Sequence, residues 1–247
     1  MAAVIKTEGL TRRYGRQTAV DALSFEVNDG EIFGFLGPNG AGKTTTILML
    51  LGLTEPTTGR AEVLGFDPVR EPLQIKRQVG YLPENVGFYD DLTARENLRF
   101  VARLNQIPEA RLQPLLDHAL GTVGLSGESD KLVGKFSHGM RQRLGIAELL
   151  LKEPKLVILD EPALGLDPDG MNKMLELIVS LNRERGMTVL MCTHLLNHAE
   201  RICGRVGIMS KGKLAALGTI AELAGSQPGA TGLEQIYLRY SREAKPC

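Results

Sequence analysis

The sequence predicts an α/β fold: a mixed sheet core with an antiparallel β subdomain and an inserted α-helical subdomain. Three observations predict it. A glycine-rich loop over residues 37–44 stands between an apolar stretch and a helical one. Two continuous apolar runs, Leu156-Val-Ile-Leu159 and Thr188-Val-Leu-Met191, have the composition of strands buried on both faces of a parallel sheet. Between the loop and those runs, apolar positions recur at helical spacing, as in an inserted helical unit.

Each element follows in order. Residues 23–27 alternate and read as a strand, and Asn28-Asp29-Gly30 supplies a hairpin-type turn. Residues 31–36 read as a mostly apolar strand that enters the glycine loop, and a helix is predicted over 43–51. Two more helices are predicted over 93–104 and 111–123. Thr93 can cap the first, with Glu96 three residues on, the spacing of a capping box. A further helix should start at Ser137. A helix over 168–185 then joins the two apolar runs into a βαβ unit. Residues 206–209 and 214–217, around Lys211-Gly212, read as a closing strand pair, and 233–242 as a short helix. The expected division is a main domain over 1–220, with the helical subdomain inserted at about 86–152, and a short helical tail over 221–247.

Composition narrows the function classes. The 247 residues are 43% hydrophobic and 23% charged, enough to bury a substantial core. The 29 lysines and arginines balance 29 aspartates and glutamates, so no global basic field exists for gripping nucleic acid, and no nucleic-acid partner is expected. Cys192, Cys203 and Cys247 form no CxxC pair, which argues against a disulfide framework or zinc knuckle and suits a reducing compartment. The first residues lack the apolar region of a signal peptide. The apolar run over 44–54 stops at Glu55, too short to cross a bilayer. Work at a membrane is therefore expected from the cytoplasmic side, through a partner.

The chemistry begins at Gly37-Pro38-Asn39-Gly40-Ala41-Gly42-Lys43-Thr44, a full match to the pattern G-x-x-x-x-G-K-[ST]. The glycines let the backbone wrap a phosphate chain without Cβ clashes. Successive N–H groups and the next helix N-terminus present positive potential to the anion. Lys43 is expected on the β and γ phosphates, Thr44 on Mg²⁺ and Thr45 on the α phosphate. Asp160 and Glu161 end a buried strand, where a lone charge is costly in a core but well placed to meet a cation at the sheet edge. Asp160 is expected to orient Mg²⁺ and Glu161 to act as the base for the attacking water. These motifs indicate a P-loop NTPase and leave kinase, GTPase and ATPase open. The GTPase NKxD motif is absent, because Asn172-Lys173 continues with Met174-Leu175.

Phe136-Ser137-His138-Gly139-Met140, at a helix start between the two motifs, resembles the ABC ATPase signature LSGGQ. It departs at three of five positions and keeps Ser137 and Gly139. The resemblance implies a RecA-like core. It places Asp167 in the D-loop, His194 as the switch histidine sensing the γ phosphate, and Tyr14 as the aromatic stacked on adenine. It places Glu84 where the family has a glutamine that contacts Mg²⁺ and relays to the membrane subunit. A carboxylate there can accept from metal-bound water and cannot donate as an amide does.

The motif forms GYLPEN and FSHGMRQRL, with LEQIYLR near the end, resemble exporter ATPases paired with ABC-2-type permeases, and residues 81–89 resemble the ATPase of nitrous oxide reductase copper-maturation systems. The resemblance implies ATP with Mg²⁺, a homodimer or a paralogous pair closed around two ATP molecules, and an integral membrane permease. It implies a peripheral location on the cytoplasmic face of the inner membrane. The competing class is a soluble ABC-type ATPase of repair or translation. Repair ATPases carry long coiled-coil inserts and translation factors two cassettes, and this sequence has neither.

Overall fold

The computed structural model describes residues 2–225 and 232–243; Cys247 and residues 226–231 of the expected tail lie outside the described residues. The chain opens with two long strands, β1 (Ala3–Tyr14) and β2 (Gln17–Asn28). They pair antiparallel around Gly15, whose φ of +58° suits the tight reversal. Next come β3 (Ile32–Leu36), α1 (Lys43–Leu50) and β4 (Thr58–Val63). The second strand of the opening hairpin was legible in the alternation over 23–27, but Asn28-Asp29-Gly30 is not a hairpin turn. It carries the chain from one sheet to the other: β2 belongs to a sheet of order β2-β1-β4, and β3 to a second sheet. All five residues of β3 are buried, so it needs a neighbour on each side and cannot remain an edge of the hairpin. The turn is tied instead to the second sheet, where Gly30 N–H donates to Thr188 Oγ1 at 2.8 Å, and to the helix before Thr188, where Asn182 Nδ2 donates to the Gly30 carbonyl at 2.8 Å.

Two short elements follow, α2 (Pro72–Gln78) and β5 (Val79–Leu82). Then α3 (Ala94–Leu104), α4 (Glu109–Thr122) and α5 (His138–Leu150) form the helical layer. The capping box at α3 is present as read: Thr93 Oγ1 accepts from Glu96 N–H, and Glu96 Oε2 accepts from Thr93 N–H. Ser137 caps α5, its Oγ accepting from Met140 N–H at 3.3 Å. Leu98, Leu116, Leu120 and Leu144 fill the space between these helices with no exposed surface to speak of. α5 comes close to β5, because a Cβ at Gly145 would collide with Leu82.

The chain returns through β6 (Leu156–Asp160), α6 (Pro168–Arg185) and β7 (Thr188–Thr193). Asp167 caps α6, Pro168 occupies its first turn, and Gly186 at φ +63° ends it. α7 (Leu196–Ile202), β8 (Arg205–Ser210), β9 (Lys213–Thr219), α8 (Ile220–Gly225) and α9 (Leu233–Glu243) complete the chain. α9 packs back on the core through Leu233 and Ile236, both fully buried.

The second sheet has the order β5-β6-β7-β3-β8-β9, parallel except for β9. Its faces have different neighbours. Phe33 and Phe35 point toward the antiparallel sheet and stack on Phe25, with centroids 5.8 and 5.1 Å away. Ile32 and Leu36 point toward the helices. Five parallel strands end along one edge, and the glycine loop and the two acids sit on that edge. No helix among the described residues is long and apolar enough to cross a membrane.

Candidate functional site

The loop over 37–42 leaves β3 and opens α1. Close quarters explain Gly37 and Gly42, while Gly40 has open space around it and a φ of +79°. A Cβ on Gly42, at φ +103°, would come within 2.5 Å of the Ala19 carbonyl, and one on Gly37 within 2.7 Å of the Met209 carbonyl. α1 has Gly42 at its N-cap and no side-chain cap, so its leading N–H groups face outward, as an anion site requires.

In front of the loop lies a cavity of about 640 Å³. Tyr14, Pro38, Asn39, Gly40, Gly42, Lys43, Thr44, Thr45, Glu84, Asp160 and Glu161 line it, so the structure gathers these expected site residues in one place. Gly37 and Ala41 support the loop from behind. The Gly37 carbonyl accepts from Lys43, and the Ala41 carbonyl accepts from Gly212 N–H at 3.0 Å.

Lys43 is 5% exposed. Its Nζ donates to the Gly37 carbonyl at 2.6 Å and lies 3.6 Å from Glu161 Oε1. Thr44 Oγ1 donates to Asp160 Oδ2 at 3.0 Å, joining residues 116 positions apart. Burial pushes the Asp160 carboxyl above its ordinary range; the Thr44 bond opposes this, and the charges of Glu161 and Glu84 add to it. A cation beside Asp160 would relieve that cost.

Glu161 has a left-handed backbone, φ +50°, rare for a side chain with a Cβ and worth about 1–3 kcal/mol of strain. Surrounding bonds hold it there. Its N–H donates to the Cys192 carbonyl at 2.8 Å, and its carboxylate accepts from Thr193 Oγ1 at 2.8 Å and His194 N–H at 3.0 Å. His194 Nδ1 is 2.8 Å from Glu161 Oε1. A buried carboxylate is thus aimed into the cavity beside an ammonium.

Among the described residues no group of three or more His, Cys, Asp or Glu could hold a metal ion alone. Thr44 and Asp160, with Glu84 nearby, are hard oxygen donors on one side only. That set fits Mg²⁺ completed by phosphate oxygens and water, and does not fit an all-protein metal cage.

Ser137, Gly139 and Asp167 lie elsewhere. With His138, Gly165 and Leu166 they line a separate cavity of about 310 Å³. Asp167 Oδ1 accepts from Gly170 N–H at 2.8 Å as the cap of α6. Sequence reasoning missed Gln17, Thr18 and Ala19 at the start of β2, and Lys211 and Gly212 in the β8–β9 turn, all on the wall of the larger cavity. The only signal for the turn was its Lys-Gly dipeptide.

The family model described as ABC transporter matches residues 20–164, well over half of the chain. This chain belongs to the ABC transporter ATP-binding family. It is an ATPase subunit of a transporter, of the kind that binds ATP and ADP. The subunit is 50% identical over 214 residues to the bacitracin transport ATP-binding protein BcrA of Bacillus licheniformis, covering 87% of this chain and 69% of that one. It is 36% identical over 228 residues to the linearmycin resistance ATP-binding protein LnrL of Bacillus subtilis (strain 168), covering 92% and 73%. A solved ATP-binding subunit of an ABC transporter matches with a TM-score of 0.85 at 33% identity, over 96% of this chain and 99% of that one.

Proposed function

We propose that this ATPase holds Mg²⁺-ATP in the larger cavity, pairs head to tail with a second copy or a paralogous chain, and drives a separate ABC-2-type permease in the direction of export. The observation that carries the catalytic half is the buried Glu161 carboxylate, held by Thr193 and His194 beside Lys43. The names of the relatives, bacitracin transport and linearmycin resistance, support the export reading.

Tyr14 stacks on adenine at the cavity mouth, where it is 47% exposed and braced by Arg12 at 4.5 Å. The backbone of residues 39–42 and Thr45 hold the phosphate chain, and Lys43 shifts from the Gly37 carbonyl onto the β and γ phosphates. Thr44, Asp160 and Glu84 would hold Mg²⁺, and the ion would supply positive charge against the phosphate oxygens. Glu161 accepts the proton of the attacking water. His194 keeps that carboxylate in place and senses the γ phosphate.

Ser137 and Gly139 are supplied by the other copy, because in one chain they line a cavity of their own. Closure around two ATP molecules draws the helices α3–α5 inward and moves the permease. The working place is the cytoplasmic face of the inner membrane. Glu161→Gln tests the reading. It is expected to give an ATP-dependent dimer in light scattering, with turnover about 10²–10⁴-fold lower, the scale of losing a general base. A chain that stays monomeric with Mg²⁺-ATP counts against the paired site.

A further inference from the structure

The signature segment has a histidine where the family pattern has its first glycine, and that side chain is not idle. His138 Nε2 lies 3.0 Å from the Leu164 carbonyl. A carbonyl can only accept, so Nε2 is the donor. The ring also rests against Gly165, where an added Cβ would meet His138 Cδ2 at 3.5 Å. One residue further along, a Cβ on Gly139 would touch Leu166 Cδ2 at 3.4 Å. The first turn of α5 therefore lies along residues 164–166, and His138 supplies its side-chain hydrogen bond to them.

Leu164 is also tied in the other direction. Its N–H donates to the Glu161 carbonyl at 3.1 Å. From His138 to Glu161 the route is two hydrogen bonds with one residue between them. The two ends serve different nucleotides if two copies share their sites as proposed above. Ser137 and Gly139 face the partner's ATP, and Glu161 acts on the chain's own.

We propose that His138 is a positioning residue that links the two ATP sites, passing the seating of the partner's nucleotide on α5 to Glu161 of its own site. The inference rests on the paired-site reading. Glu161 sits in a sparsely populated backbone region, where a small rotation redirects its carboxylate. A bond that makes Leu164 follow α5 therefore carries a shift of α5 to the Glu161 backbone, against the bonds that hold its carboxylate. The glycine of the family pattern has no side chain to make this bond.

The test is ATP hydrolysis by the full chain against ATP concentration, for the wild type, His138→Leu and His138→Gln. Leucine keeps bulk and loses the donor; glutamine keeps a donor. The wild type is expected to show a Hill coefficient above 1, with the second ATP favoured by about 5-fold or more, the lower end of ordinary site coupling. His138→Leu is expected to bring the coefficient to 1 while nucleotide binding by the monomer is unchanged, and His138→Gln to recover most of the cooperativity. A purely structural role would lower turnover in both variants without this split. Wild-type cooperativity in His138→Leu, or a wild type with a coefficient of 1, overturns the link. The Glu161→Gln chain with ATP separates the two failures: a dimer alongside unaltered cooperativity in His138→Leu removes this inference alone, whereas a persistent monomer removes the paired site and the link together.

Discussion

The cavity at the glycine loop and the cavity at the start of α5 are built in different ways. The one at the glycine loop has three charges taken out of water among its lining. Lys43, Asp160 and Glu161 are 5, 4 and 4% exposed, and each is bonded to a neighbour. The one at the start of α5 is open: Ser137, His138 and Asp167 are all exposed. Burial fixes direction, because a desolvated charge must keep its partners. Exposure leaves a surface that can be covered from outside. The difference suits a reaction whose charged groups are assembled in one chain, and whose final alignment and closing contacts arrive with a second body.

Substitutions on either side sharpen the contrast. Lys43→Ala is expected to have the largest effect after Glu161→Gln, lowering turnover by about 10²–10³-fold, the scale of losing one preorganised donor. Nucleotide binding by the monomer should weaken with it; isothermal titration showing unchanged affinity would remove Lys43 from the phosphate. Ser137→Ala should act on the other cavity only. Turnover is expected to drop about 10–100-fold, as for one hydrogen bond to a charged group, with monomer binding of ATP intact. Equal damage to both readouts would erase the distinction between the cavities.

Smaller effects concern the helices that carry the open cavity. Asp167→Ala removes the cap of α6 and should cost about 1 kcal/mol. A melting point lowered by about 2–4 °C is expected for a chain of this size, with Asp167→Asn restoring it. Glu148 lies on α5, and burial pushes its carboxyl above the ordinary 4.5. The folded state thus holds this proton more tightly than the unfolded state. Its contribution to stability is fully present below 4.5 and is lost as pH rises through the raised value. Glu148→Gln should therefore melt higher than the wild type at pH 7, and the gain should vanish in acid below 4.5. A gain that persists in acid would mean that burial of the charge is not its cause.

Local chemistry was legible along the chain because each piece is decided by near neighbours. The cap at Thr93, the serine cap of α5, and the span of α6 from Pro168 to Arg185 all follow from residues within a turn or two. The turn over 28–30 misled because its residue types favour a hairpin, while the burial of β3 on both faces decides which sheet the chain joins. Short elements such as α2 and α7, seven residues each, carry too few apolar positions to show a period.

By itself, the sequence determined the reactive groups: a loop that can wrap phosphate, a lysine, a hydroxyl, two acids and a serine-capped helix. Those depend on side-chain chemistry and backbone freedom at fixed local spacing. Only the tertiary structure decided which of them meet. Thr44 reaches Asp160 across 116 positions, and His138 reaches Leu164 across 26. Strand register and the packing of α5 set those contacts, and both are long-range properties of the folded chain.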